Sequence, residues 1–313
     1  MRRLIATALV AVACAGQSLY ELSGQVKPEA EAYVSLYGAT SPFAAAGQTD
    51  PDGHFTFKKL EGGAYTLAIF IPARGEARQT VEVGRGTADA RGRVVLNLDL
   101  KDSDFVYADV VRRRNSISAG QLAVPDKALH DYAEAQKDLG RRDVDSAVKR
   151  LQDAVALAPQ FTAAWNELGT IAYQTQKYER AEQCFRAALA HDARAFEPLV
   201  NLGGVLINLG KYSEAWEYNL QAVLARPNDA LANSQFGMTY FEMDNYDLAL
   251  KYLERARQID PSHFSHPQLF MAEIHLRRKE RGAAADDMED FLKHHPDWPQ
   301  AAKMRETIAD LRQ

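Results

Sequence analysis

A chain of 313 residues, 46% hydrophobic and 25% charged, has the make-up of a soluble globular protein long enough for two ordinary domains. Its formal charge of −5 supplies no basic field for a phosphate backbone, which argues against a nucleic acid partner. Cys14 and Cys184 are its two cysteines, so no intrachain disulfide survives processing of the N-terminus and stability must come from packing.

Residues 1–15 read as an export signal of the general secretory kind. Arg2 and Arg3 form the charged start, and Leu4 to Ala13 an apolar stretch too short to cross a bilayer as a helix. Ala11-Val12-Ala13 and Ala13-Cys14-Ala15 both fit a small-residue cleavage pattern. The run "AVAC" also resembles a bacterial lipobox with Cys14 as the lipid anchor, although alanine replaces the usual leucine at Ala11. Soluble and lipidated forms are both open at this point. The expected location is the periplasm or the outer membrane of a bacterium, with membrane contact only through Cys14.

Residues 20–100 alternate with period two. Val34 and Leu36, Phe55 and Phe57, Tyr65, Leu67, Ile69 and Ile71, Val81 and Val83, and Val94, Leu96, Leu98 and Leu100 each mark one face of a short strand. Gly and Pro break the runs, which predicts a small all-β sandwich. Asp50-Pro51-Asp52-Gly53 satisfies the positional preferences of a type I turn. It fails as a helix-flanked calcium loop, because His54 stands where the third ligand is needed and Gly53 falls early. Three motifs resemble the carboxypeptidase regulatory-like, transthyretin-type module. They fall on Ser23, Gly24 and Val26; on Thr49, Asp50, Asp52, Gly53 and Phe55; and on Leu60, Gly63, Tyr65 and Leu67. That resemblance implies a non-catalytic accessory domain, in a fold some of whose members bind carbohydrate.

Residues 101–127 are read as a linker. They hold a candidate edge strand from Phe105 to Val111, the basic run Arg112 to Arg114, and Asp126 as a candidate helix cap.

From Ala128 the period becomes helical, and the pattern recurs. Small residues return at Ala135, Gly169, Gly203, Gly237 and Ala272, and again at Ala147, Ala181, Ala215, Ala249 and Ala284. The spacing is 34 residues, with one extra residue near Phe264. Pro159, Pro227, Pro261 and Pro296 stop the second helices, since proline offers no N–H. With Trp165, Leu168, Gly169, Tyr178, Ala181, Phe185 and Ala188, residues 128–298 resemble five tetratricopeptide repeats (TPRs). Residues 299–313 add a capping helix. The predicted fold class is an all-β sandwich followed by an all-α superhelical solenoid.

No nucleophile elbow, metal-protease helix, Cys-x-x-Cys pair or phosphate-cradling loop occurs, so neither catalytic residues nor a cofactor is expected. His263 and His266, and His294 and His295, are assigned to turns between repeats, without a metal. The resemblance implies a concave groove lined by the first helix of each pair. It assigns Tyr132, Asn166, Thr170, Tyr173, Val200, Asn201, Ile207, Ser234, Met238, Phe241 and Leu269 to that groove. The groove lacks the lysines and arginines that clamp a peptide carboxylate. A partly apolar protein or peptide segment, anchored on Tyr173, Ile207, Met238 and Phe241, is therefore the expected ligand. The function implied is an exported, non-enzymatic scaffold. The alternative is a carbohydrate-binding accessory protein tethered by its repeats.

Overall fold

The computed structural model describes residues 18–72, 74–106 and 124–313. The signal segment with Cys14, the run Arg112 to Arg114 and most of the linker lie outside the described residues.

Among the described residues, eight strands form two sheets. They are β1 (Tyr20–Lys27), β2 (Tyr33–Gly38), β3 (Ala44–Gln48), β4 (His54–Leu60), β5 (Gly63–Ile71), β6 (Gly75–Val83), β7 (Arg93–Asp99) and β8 (Phe105–Val106). One sheet has the order β4-β1-β7, with β1 and β7 parallel; the other runs β3-β2-β5-β6-β8 with antiparallel neighbours. The predicted inward residues meet in one core, where Leu22, Val34, Leu36, Leu60 and Leu67 are fully buried. The sandwich therefore reaches past residue 100. Phe105 and Val106 pair with Ala77 and Glu76 at the sheet edge, within the stretch predicted as an edge strand.

The Asp50 turn closes as expected. The N–H of Gly53 donates to the carbonyl of Asp50 at 2.9 Å, and Oδ1 of Asp50 accepts from the N–H groups of Asp52 (3.1 Å) and His54 (2.8 Å). Those bonds, led by the one from His54, hold the Asp50 carboxyl below the usual carboxylate range. Gly53 sits at φ 79°, which favours glycine.

Among the described residues, eleven helices follow as five antiparallel pairs and a terminal helix. They are α1 (Asp126–Gly140) and α2 (Val144–Leu157), α3 (Thr162–Gln174) and α4 (Tyr178–His191), α5 (Phe196–Asn208) and α6 (Tyr212–Ala225), α7 (Ala230–Glu242) and α8 (Tyr246–Ile259), α9 (Pro267–Arg277) and α10 (Arg281–His294), and α11 (Ala301–Arg312). Asp126 is the first helical residue rather than the cap; Pro125 precedes it with its fixed φ. The terminal helix begins at Ala301, two residues after Pro299. Small residues sit where helices cross. A Cβ on Gly169 would lie 2.5 Å from the ring of Phe185, and one on Gly237 would lie 2.7 Å from Leu253. Ala147, Ala181, Ala215, Ala249 and Ala284 are all completely buried. No helix among the described residues is long and apolar enough to cross a membrane.

The sandwich lies along the concave side of this superhelix. Strand register puts Tyr37, Thr66, Arg78 and Thr80 on one face of the larger sheet, the face without the core residues Leu36, Leu67 and Val81. That face looks onto the first helices of the repeats, with Tyr37, Thr66, Arg78 and Thr80 all on the wall of the space between.

Candidate functional site between the sandwich and the helices

Every repeat is tied to the sandwich. At the first, Nε of Arg142 lies 3.1 Å from Oε1 of Glu61, and its guanidinium donates to the hydroxyl of Tyr65 at 3.4 Å. At the second, Gln174 donates to the carbonyl of Gly38 at 2.8 Å. At the third, Arg78 reaches Glu197 at 3.3 Å. The carboxylate of Asp260, closing the fourth, accepts from the N–H of Thr80 at 2.8 Å. At the fifth, Nδ1 of His295 is 3.0 Å from Glu82, and Asp297 accepts from the N–H of Gly86 at 2.8 Å. Strand β3 also packs on α1, where Ala44 shares a core cluster with Ala128 and Leu139.

Between these ties lies a cavity of about 2030 Å³. Eight of the eleven predicted groove residues line it: Tyr132, Asn166, Thr170, Tyr173, Val200, Asn201, Met238 and Leu269. Asn201 and Asn166 hydrogen-bond across α5 and α3 at 3.1 Å, and Asn208 donates to the hydroxyl of Tyr173 at 3.2 Å.

Ile207, Ser234 and Phe241 do not reach the wall. Phe241 is a core residue, edge-on to Phe270 at 5.4 Å and capped by the guanidinium of Arg277 at 4.6 Å, so it anchors no ligand. Ile207 is half-buried against the cluster of α3, α4, α5 and α6. Ser234 is fully buried because Ser265 covers it, the two hydroxyls lying 2.6 Å apart. Ser265 belongs to the segment that carries the extra residue near Phe264, and this insertion turns inward over α7.

The wall is acidic. Among the described residues, nine aspartates and glutamates line it, including Glu82, Glu167, Glu197, Asp229 and Asp260, against two arginines, Arg78 and Arg255. Burial pushes the carboxyl of Glu167 up to about 7, with a hydrogen bond from Gln136 opposing it. Burial acts against the charge of Arg78, yet the carboxylates of Glu76, Glu197 and Asp229 outweigh it and keep the guanidinium protonated. Burial also raises the hydroxyls of Tyr132 and Tyr173.

At the far end of the cavity the structure brings two histidines, assigned from sequence to turns between repeats, up to Glu82 of β6. Glu82, His266 and His295 each bring a donor atom within 4.8 Å of the other two. Burial, then the nearby His295 and His263, push His266 down to about 3, so its imidazole is neutral. A second group, Asp50, Asp52 and His54, is exposed and belongs to the turn described above. Cys184 is completely buried and burial raises its thiol, which makes it an inert packing residue.

Stacked helix pairs with small crossing residues and a shared concave face define a tetratricopeptide-type superhelix, here faced by an N-terminal β-sandwich. Known proteins agree for the helical part. The family model for the middle TPR-like domain of cilia and flagella-associated protein 70 matches residues 127–260. The human cell division cycle protein 16 homolog is 31% identical over 119 residues, 35% of this chain and 19% of that protein. Mouse tetratricopeptide repeat protein 5 is 23% identical over 284 residues, covering 84% of this chain and 60% of that protein. Among solved structures PilW, a widely conserved type IV pilus biogenesis factor, matches with a TM-score of 0.51 at 19% identity, over 60% of this chain and 91% of PilW. That likeness shows the fold. The chain spans about a fifth of the length of the human cell division cycle relative.

Proposed function

We propose that this protein is a non-enzymatic scaffold that holds an extended segment of a partner protein in the cavity between its sandwich and its concave helices. The observation that supports this most is the wall itself. It combines apolar anchors, Tyr173, Val200, Met238 and Leu269, with an excess of carboxylates. Such a wall favours a segment that alternates apolar residues with lysine or arginine, and disfavours an acidic one. The sandwich is then a wall of the binding site as well as an accessory module of the carboxypeptidase regulatory-like kind. Its motifs at Ser23, Thr49 to Phe55 and Leu60 to Leu67 support that assignment.

Export to the periplasm or outer-membrane face of a bacterium is part of the same proposal and rests on residues 1–15. Cell fractionation, with mass analysis of the mature N-terminus, decides between cleavage and an acylated Cys14. A carbohydrate site on the sandwich has less support, since of its exposed tyrosines, Tyr33 and Tyr37, the second already faces the cavity.

Peptide display against the full chain tests the reading. Enriched peptides should carry basic and apolar residues together, and charge-reversed copies of them should not bind. Thr170→Arg, which fills the cavity from a half-buried position on α3, should weaken the enriched peptides at least about tenfold with an unchanged circular dichroism spectrum. Equal binding by that folded variant, or no enrichment at all, removes the cavity as the binding site.

A further inference from the structure

We infer that Glu82, His266 and His295 form a binding site for a divalent transition-metal ion of the zinc class, at the seam between the sandwich and the fifth repeat. Three separate segments deliver the ligands: β6, the residue before α9, and the residue after α10. Oε1 of Glu82 and Nδ1 of His295 are already 3.0 Å apart. The edge of a tetrahedral zinc shell built from bonds of about 2.0–2.1 Å is about 3.3 Å. An ion between these two atoms therefore asks them to move apart by a few tenths of an ångström, while the third donor closes in from within 4.8 Å.

The donor chemistry selects the ion. Two imidazoles and one carboxylate suit zinc and its neighbours, whereas calcium and magnesium take shells of oxygen. His295 is 3% exposed, and its Nε2 is buried without a hydrogen-bond partner among the described residues. With protein groups alone, neither tautomer of this ring satisfies both nitrogens. With the proton on Nδ1 the ring donates to Glu82; with it on Nε2 the Nδ1 lone pair faces that carboxylate, and this second tautomer is the one that holds a cation between the two atoms.

The surroundings fit as well. The ring of His295 stacks on Phe291 at 4.5 Å, and His266 stands edge-on to Phe291 and Trp298, both at 5.3 Å. This apolar shell fixes ring orientation and limits water, two factors that strengthen metal–ligand bonds. His266 adopts φ 54°, a left-handed conformation uncommon outside glycine. It does so at the end of the segment that holds the extra residue, so the insertion is what carries this imidazole toward Glu82. All three ligands border the cavity, which leaves a fourth coordination position open toward it for water. The exposed Asp50 cluster has no such features: its Oδ1 is committed to two backbone N–H groups.

Cobalt and zinc titrations of the full chain test this site. Cobalt should give the visible absorption of a tetrahedral centre at one ion per chain, and should quench the emission of Trp298. Zinc should compete the cobalt out and raise the melting temperature. Glu82→Gln and His266→Ala should each weaken the ion at least about tenfold, while His54→Ala should leave the titration unchanged. The wild-type absorption and quenching need no variant, so a misfolded mutant does not blunt the test. Absence of the cobalt band and of a zinc-dependent melting shift in the wild type overturns the site. So does a titration lost in His54→Ala and kept in Glu82→Gln.

Discussion

The two halves of the molecule solve the same problem of burial in opposite ways. The sandwich gathers residues from Leu22 to Phe105 into one continuous core. The helical array divides its apolar residues into several clusters along its length, each drawn from neighbouring helices. A core of the first kind is lost as a unit, whereas a stack of repeats loosens locally and its stability adds up repeat by repeat. The difference teaches where a perturbation should stay and where it should spread.

The largest expected effect comes from breaking the single core. Leu67 is fully buried at its centre, so Leu67→Ala should cost about 2–5 kcal/mol. Hydrogen exchange should show all strands opening together while α3 to α8 keep their protection. Survival of β1 and β7 with loss of β5 alone would contradict the unity of that core.

A smaller effect should come from the array, through protons. The carboxyl of Glu167 is pushed by burial up to about 7, from the 4.5 of a free glutamate side chain that an unfolded chain keeps. Between those values the folded state keeps a proton that the unfolded state has released. Stability should therefore fall as pH rises across this window, by up to about 3 kcal/mol, and level off above it. Glu167→Gln should flatten that slope in a denaturant series. An unchanged slope would mean that Glu167 is ionised in the folded protein.

The smallest expected effect is none. Calcium in excess should leave the melting temperature unchanged, because the carboxylate of Asp50 serves its own turn. A calcium-dependent rise abolished by Asp50→Asn would show the turn to be a metal loop after all.

Much of this architecture was legible in the residues. Alternation located the strands, and recurring small residues located the helix crossings, because both follow from contacts close in sequence or repeated at a fixed spacing. What escaped depends on how the two halves meet. Glu82 joins His266 and His295 from the other half of the chain, and no local pattern records that docking. Two signals were present all the same. The consecutive apolar run Ile69-Phe70-Ile71 departs from a strand with one wet face, and all three residues are buried. The extra residue near Phe264 breaks an otherwise regular spacing, and that segment covers Ser234 and positions His266. Phe241 misled because α7 is buried on nearly every side, so the outward position implied by the repeat resemblance falls inside a core.

The ties from Arg142, Gln174, Glu197, Asp260 and His295 have a mechanical consequence. A free superhelix of stacked pairs behaves as a spring, since small rotations at each joint add up to a large change in end-to-end length. Here a stiff β-sheet runs alongside and is fastened at successive coils. Over the third to fifth repeats the ties come from Arg78, Thr80 and Glu82, alternate residues of the one strand β6, so the extended backbone of that strand should hold the spring at one extension.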